Sequence, residues 1–131
     1  MRRASSGGGP TGRLRVIGAG STLLSGFGGG DGRPLRLDGG TGSRDTGVML
    51  SVVYCAGGGR VAGDDARRPC LMLARPDAGA GARPVELEMV PDRIVVFRSR
   101  MVGNGLKPLP AGVAAPLYLV TVLVHGMPDA F

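Results

Sequence analysis

Residues 92–126 read DRIVVFRSRMVGNGLKPLPAGVAAPLYLVTVLVHG, and they form the least glycine-diluted part of the chain. The IVVF run at 94–97 joins β-branched and aromatic residues, which is typical of a buried strand. Residues 116–124, PLYLVTVLV, repeat that composition after a connection that is rich in proline and glycine and includes a further polar element. The segment therefore predicts two strands flanking an interrupted connection.

The composition of the whole chain favours an all-β fold. Its 131 residues are enough for one domain with a hydrophobic core. With 25 glycines and 4% aromatic residues, that core must consist mostly of Val, Leu, Ile and Met. Glycine costs backbone entropy and favours turns over helices, and no long window has a helical apolar period.

Further strand patterns lie outward from the opening segment. They occupy residues 13–17, 21–27, 48–55, 70–73 and 85–89. Roughly eight short strands with turn signals between them indicate a jelly roll. We expect residues 13–126 to form this domain, with a flexible basic Ser/Gly tail at 1–12 and a C-terminal tail at 127–131.

The net charge of +6 comes from fifteen arginines and one lysine, Lys107. The arginines are scattered and rarely interleaved with aromatics, so a nucleic acid is not the expected partner. Cys55 and Cys70 lack a CxxC spacing and are expected to be small hydrophobic residues. The N-terminal residues lack the apolar core of a secretory signal, and the longest apolar run, 113–124, contains a proline and is too short to span a bilayer. We therefore expect a cytoplasmic protein without a membrane partner.

Four segments together resemble one known family. They are FGGGDGRPLRLDGGTG (27–42), LSVVY (50–54), DRIVVFRS (92–99) and LYLVTVLVHG (117–126). These segments are similar to the prolyl 4-hydroxylase-type Fe(II)/2-oxoglutarate-dependent dioxygenases. The resemblance implies a double-stranded β-helix, which is a form of jelly roll, with iron held by a His-x-Asp pair and a distal histidine. It also implies 2-oxoglutarate paired with an arginine, ascorbate dependence, and a peptide or protein substrate.

The sequence departs from that family at the positions that do its chemistry. Asp38 retains the carboxylate of the metal triad, but Arg36 and Asn104 stand in place of the two histidines. Leu117 stands in place of the arginine that binds 2-oxoglutarate, although the connection before it is longer than the family's and makes this match less secure. Thr121 lies on the same strand face as Leu117 and remains a polar residue in the corresponding pocket.

These departures predict the loss of the family's usual reaction. A single carboxylate beside a guanidinium does not compete with water for Fe(II). Because residues i and i+2 share a strand face, Arg36 and Asp38 are expected to be neighbours. The Arg36 guanidinium would then occupy the place of the metal, paired with Asp38 and bonded to the Asn104 side-chain oxygen. The alternative is an open site in which both side chains are solvated.

One further residue bears on this expectation. His125 is the only histidine, and the sequence leaves open whether it replaces a ligand, near Asp38 or together with Asp129.

Three hypotheses follow. In the first, the chain is a degenerate dioxygenase-family domain that binds neither iron nor 2-oxoglutarate, a pseudoenzyme that is either kept as a binding module or present as a decaying copy. In the second, it is an active oxygenase that hydroxylates a peptide or other substrate with atypical ligands. In the third, it is a basic jelly-roll module that binds nucleic acid or an acidic partner.

Overall fold

The computed structural model describes residues 14–39, 47–63, 67–76, 79 and 81–128. The eight strands of this part are β1 (Leu14–Phe27), β2 (Arg33–Arg36), β3 (Val48–Gly57), β4 (Cys70–Ala74), β5 (Val85–Glu88), β6 (Ile94–Arg98), β7 (Gly103–Leu106) and β8 (Leu117–Pro128). The predicted tail at 1–12 and residues 129–131 of the C-terminal tail lie outside the described residues. No helix in the described part is long and apolar enough to cross a membrane.

The strands form two four-stranded antiparallel sheets. One has the order β1-β8-β3-β6 and the other the order β2-β7-β4-β5. The described residues contain no helix. The fold is therefore the all-β jelly roll that the sequence predicts.

Three strands add to or differ from the sequence pattern. The patterns at 13–17 and 21–27 belong to one long strand, β1, which pairs with β8 and has irregularities between Val16 and Gly18 and between Ala19 and Thr22. The polar element in the connection of the opening segment is β7, and all four of its residues are buried. Strand β8 continues to Pro128, past the expected domain end at 126.

The hydrophobic core lies between the two sheets and draws on both. Its buried residues are Val53, Cys55, Leu71, Met89, Phe97, Leu106, Leu109, Leu117 and Leu119. Only one of these is aromatic, as the composition requires. Because β3, β6 and β8 face β4 and β7 through this layer, its removal from water stabilises both sheets together.

Both cysteines are free thiols. Cys55 is fully buried in the core, as expected for a small hydrophobic residue, and burial raises its pKa. Cys70 is half-buried at the start of β4, and its thiol donates to the Arg68 carbonyl at 3.6 Å. Burial raises the pKa of this thiol too.

The pairing of β2 with β7 positions the candidate site. Arg33 pairs with Leu106 and Arg36 with Asn104, so one extra residue of β2 lies between the two pairs. Such a bulge breaks the alternation of side chains along the strand. Gly105 lies opposite it: a Cβ there would be 2.8 Å from the Arg33 carbonyl oxygen, so only glycine lets β2 approach this closely.

Candidate functional site

Asp38 is the centre of a polar cluster just after β2. Its side chain is only 9% exposed. Its Oδ2 atom accepts hydrogen bonds from the Ser51 hydroxyl at 2.7 Å and from the Asn104 side-chain amide at 3.0 Å. A buried carboxylate is costly unless it is hydrogen-bonded or paired, and β3 and β7 each supply it with a donor.

Two serines extend this cluster into the interior. Ser51 and Ser99 are both fully buried, and their hydroxyl oxygens are 2.7 Å apart. Since a serine has one hydroxyl hydrogen and that of Ser51 is given to Asp38, the Ser99 hydroxyl must donate to Ser51. The relay runs in one direction, from Ser99 through Ser51 to the carboxylate.

Asn104 lies between the carboxylate and a guanidinium. It is 1% exposed, and its amide nitrogen also donates to the Arg36 backbone carbonyl at 3.3 Å. Its side-chain oxygen accepts a hydrogen bond from Nη2 of Arg33. The two neighbours fix the amide orientation, because a carboxylate requires a donor and a guanidinium requires an acceptor.

Two arginines of β2 therefore flank the carboxylate. The expected Arg36–Asp38 ion pair is present, with Nε of Arg36 3.6 Å from Oδ1 of Asp38, but the Arg36 side chain is 53% exposed. The expectation that Arg36 bonds the Asn104 oxygen is wrong, because Arg33 makes that bond. Burial, followed by the positive charge of Arg36, lowers the pKa of Arg33, while Asp38 raises it. We call Arg33, Arg36, Asp38, Ser51, Ser99 and Asn104 the Asp38 cluster.

The donor set of the Asp38 cluster does not fit Fe(II). One carboxylate oxygen already accepts two hydrogen bonds and the other faces a guanidinium. The Asn104 oxygen is engaged by a cation. Among the described residues, no group of three or more His, Cys, Asp or Glu side chains is placed to hold a metal ion. Neutral imidazoles and free carboxylate lone pairs are what a facial triad supplies, and they are missing here.

Leu117 and Thr121 lie on the inward face of β8. Leu117 is fully buried in the hydrophobic core, and its Cβ lies 3.0 Å from the place that a Cβ on Gly59 would take. Thr121 is half-buried and pairs with Val53 of β3 and Leu23 of β1. The position matched to the cosubstrate arginine is thus filled by apolar packing, which is a poor environment for the carboxylate of 2-oxoglutarate.

His125 lies near the far end of β8, where it pairs with Val48 and with Gly18. Its ring packs over Gly20, because a Cβ on that glycine would be 2.2 Å from Nδ1 of His125. Asp129, its suggested partner in a metal site, lies outside the described residues. The histidine ring thus covers a glycine of β1.

A groove of about 450 Å³ adjoins the Asp38 cluster along β4. Its lining residues are Leu73, Ala74, Arg75, Ala82, Arg83, Val85 and Val102. The register places it beside the cluster, since Leu73 pairs with Asn104 and Ala74 with Gly103. The walls are largely apolar, and two arginines add positive charge.

Sequence reasoning missed Arg33, Ser51 and Ser99. Strict alternation along β2 would place residues 33 and 36 on opposite faces, whereas with the bulge Arg33 reaches Asn104 and Arg36 reaches Asp38 in the same cluster. Two isolated serines within the apolar runs LSVVY and VVFRS were the one available signal, because a buried serine requires a partner.

Comparison with known proteins supports the fold. No protein-family model and no curated protein matches the chain. A solved structure of a prolyl hydroxylase from Trichoplax adhaerens, in complex with a hypoxia inducible factor oxygen degradation domain peptide fragment, matches 84% of this chain with a TM-score of 0.61 and 21% identity. The chain spans 45% of the length of that protein. The likeness at this identity concerns the fold: the chain is a small jelly roll similar to the core of that prolyl hydroxylase.

Proposed function

We propose that this chain is a prolyl-hydroxylase-like jelly-roll domain that does not hold Fe(II) and serves as a non-catalytic binding module. One observation carries the proposal: Asn104 bridges Arg33 and Asp38 at the positions where the resemblance would place a metal and its ligands. The protein's own side chains satisfy the groups that would otherwise bind the metal.

The charge balance of the Asp38 cluster supports this proposal. Two guanidinium groups and one carboxylate give the cluster a formal charge of +1 (+2 − 1), so a divalent cation would enter a site that is already positive. Displacing Arg33 from Asn104 would also leave a half-buried cation without that acceptor, and a hydrogen bond to a charged group contributes about 1.5–3 kcal/mol. The half-exposed Arg36 contributes less, because solvent screens it.

We further propose that the groove beside the cluster binds an extended peptide. The similar prolyl hydroxylase was solved with a peptide fragment, and here the groove combines apolar walls with Arg75 and Arg83. Such a lining suits a segment with alternating apolar and acidic side chains. Iron is not needed for this role.

Anaerobic titration with Fe(II), followed by metal analysis of the desalted protein, tests the loss of iron binding. We expect no stoichiometric iron in the wild-type chain. The combined variant Arg33→Gln, Arg36→His, Asn104→His should gain it, because it supplies two imidazoles and removes the competing guanidinium. Stoichiometric iron in the wild type would contradict this proposal and favour the hypothesis of an oxygenase with atypical ligands.

The addition of Leu117→Arg is a separate step. It tests 2-oxoglutarate binding, but it places a guanidinium in the hydrophobic core, which is destabilising unless the cosubstrate pairs with it. We therefore expect this variant to fold less stably without 2-oxoglutarate and to be stabilised by it.

Peptide binding is tested with a fluorescent library of extended peptides that carry acidic and apolar residues. Arg83→Glu should weaken the best binder about tenfold or more, whereas Arg93→Glu, the same charge change outside the groove lining, should leave it within about twofold. Equal losses in both variants would point to non-specific attraction. Binding of an oligonucleotide with a steep salt dependence would favour the basic module instead.

A further inference from the structure

The charged residues are divided unevenly between the two ends of the jelly roll. At one end β2, β4 and β6 finish and β5 and β7 begin, since Leu73 pairs with Val85 and Ala74 with Gly103. The described charged residues of this end have a formal charge of +4 (+5 − 1), and they are Arg36, Asp38, Arg75, Arg83, Arg98 and Arg100. We call it the positive end.

Few carboxylates offset this charge. Asp38 is the one described carboxylate of the positive end, and it already accepts hydrogen bonds from two side chains. The remaining described carboxylates lie at or towards the opposite end: Asp31 before β2, Glu86 and Glu88 in β5, and Asp92 before β6. In the sequence, the loops that join the strands of the positive end also contain Arg44, Asp45 and Asp77, which leaves a surplus of +3 (+4 + 1 − 2).

A pocket of about 240 Å³ lies at the positive end, next to the groove along β4. It is lined by Arg75, Pro76, Arg100 and Met101, and none of these carries a carboxylate. Arg75 also lines the groove, so the pocket and the groove adjoin each other there. Two arginine side chains, both exposed, thus reach one pocket. We call it the Arg75–Arg100 pocket.

The backbone holds the stems of both arginines at the pocket. Arg75 directly follows β4, and Pro76 after it favours an extended backbone at Arg75. Arg100 lies in the turn after β6, where the Arg98 carbonyl accepts two backbone hydrogen bonds at 3.0 and 3.2 Å. The Arg100 stem passes over Gly39, because a Cβ on that glycine would be 2.6 Å from Cγ of Arg100. Less ordering is therefore needed when a ligand binds.

Two guanidinium groups at one pocket suit a dianion. A carboxylate would neutralise one of them, whereas a phosphate monoester carries close to two negative charges at neutral pH and offers several strong acceptor oxygens. Both arginines also interact with other residues, but a guanidinium has several N–H donors and can serve a ligand as well. The volume equals that of about eight waters, which is enough for a phosphate group. Neither the pocket nor the groove is lined by an aromatic side chain on which a nucleic-acid base could stack.

We propose that the Arg75–Arg100 pocket binds a phosphorylated side chain of an extended peptide, with a neighbouring apolar residue of that peptide in the groove. This inference rests on the peptide role proposed above for the groove and adds the recognition of a phosphate. Because Arg75 lines both spaces, two nearby side chains of one peptide can occupy them together. The surplus charge of the positive end attracts such a peptide at long range.

Fluorescence anisotropy with two peptides tests the proposal. Both have the sequence of the best binder from the peptide library, with either serine or phosphoserine beside an apolar residue. We expect phosphoserine to tighten binding about tenfold or more. Arg100→Gln removes a guanidinium that lines the pocket and not the groove, so it should abolish most of this gain and leave the affinity for the serine peptide within about twofold. Arg93→Gln, an exposed arginine at the opposite end, should keep the gain.

The possible failures are distinguishable. Equal affinity for the two peptides overturns phosphate recognition and leaves the peptide role of the groove intact, whereas no binding of either peptide overturns both. A gain that survives in Arg100→Gln, or that Arg93→Gln removes equally, shows that the pocket is not the site. If phenyl phosphate or a single-stranded oligonucleotide binds as tightly as the phosphopeptide, with the same dependence on Arg100, the ligand is a small phosphate ester or a nucleic-acid backbone and the phosphopeptide is wrong. Circular dichroism of each variant confirms that the fold is retained.

Discussion

Asn104 links the charged groups of the Asp38 cluster through the two ends of its side-chain amide. An imidazole at this position would offer a lone pair to a metal, whereas the amide offers an acceptor and two donors at once. Here the acceptor binds Arg33, and the donors bind Asp38 and the Arg36 carbonyl. The amide is therefore the residue that allows a carboxylate and a guanidinium to lie together in the interior.

Replacement of Asn104 by leucine should destabilise the chain strongly, although the two side chains have similar volumes. Asn104→Leu keeps the volume but leaves Arg33 and Asp38 each short of a partner, so we expect the free energy of unfolding to fall by about 2–4 kcal/mol. Urea denaturation measures it. As a control, Lys107→Ala breaks only the exposed pair with Glu86 and should cost less than about 1 kcal/mol. A loss below about 0.5 kcal/mol for Asn104→Leu would show that the cluster contributes little.

At the residue scale, the sequence predicted the cluster only in part. The spacing of Arg36 and Asp38 led to the correct prediction that they are neighbours, but β2 ends at Arg36 and Asp38 lies in the turn after it, so strand alternation is not what brings them together. Which guanidinium reaches Asn104 depends on the backbone path between residues 33 and 36, and that path is set by pairing with β7. A pattern read along one strand contains no information about its partner.

At the scale of elements, the bulge in β2 is the feature that builds the site. It depends on the absence of a side chain at Gly105, where a Cβ would meet the Arg33 carbonyl oxygen at 2.8 Å and the Leu35 amide nitrogen at 3.0 Å. Both obstacles are backbone atoms, so they cannot swing aside as a flexible side chain would. An added methyl group must push β2 away from β7.

Gly105→Ala should therefore destabilise the chain by about 1–3 kcal/mol, the usual cost of overpacking. Because the shift moves Arg33, amide exchange should also become faster at Asn104 and its β7 neighbours. Gly18→Ala is a matched control, since a Cβ on that strand glycine meets nothing within 4 Å. Equal effects of the two substitutions would show that loss of glycine flexibility, and not contact with β2, is responsible.

The difference between a local sequence pattern and pairing with a neighbouring strand explains which strands the sequence predicted. Runs such as IVVF and PLYLVTVLV have the β-branched and aromatic composition of strands, and they form β6 and the first part of β8 as expected. The expectation that IVVF is a buried strand is met on one face only, because Ile94 and Val96 are 59% and 56% exposed. The break between residues 17 and 21 did not end a strand, because β8 pairs along the whole of β1 and its irregularities absorb the glycines. Tertiary pairing, which a local pattern does not include, decided that case.

At the scale of the whole molecule, one core joins the two sheets, and its cooperativity can be tested from either side. Leu71 of β4 is fully buried and belongs to the β2-β7-β4-β5 sheet, whereas both tyrosines, Tyr54 and Tyr118, belong to β3 and β8 of the other sheet. The chain has no tryptophan, so tyrosine emission reports on that other sheet alone. Leu71→Ala should lower the free energy of unfolding by about 2–5 kcal/mol, the cost of a large-to-small change in a core.

If the core is one cooperative unit, Leu71→Ala should lower the midpoint of urea unfolding by the same amount whether unfolding is followed by tyrosine emission or by circular dichroism. The two shifts should agree even though Leu71 and the tyrosines belong to different sheets. Leu35→Ala, in β2 of the same sheet as Leu71, removes a side chain that is 42% exposed and should cost less than about 1 kcal/mol. A tyrosine midpoint that stays in place while circular dichroism shifts would mean that the sheets unfold separately. The hydrophobic core around Leu117 would then lie between two sheets that unfold independently, and it would not make them one cooperative unit.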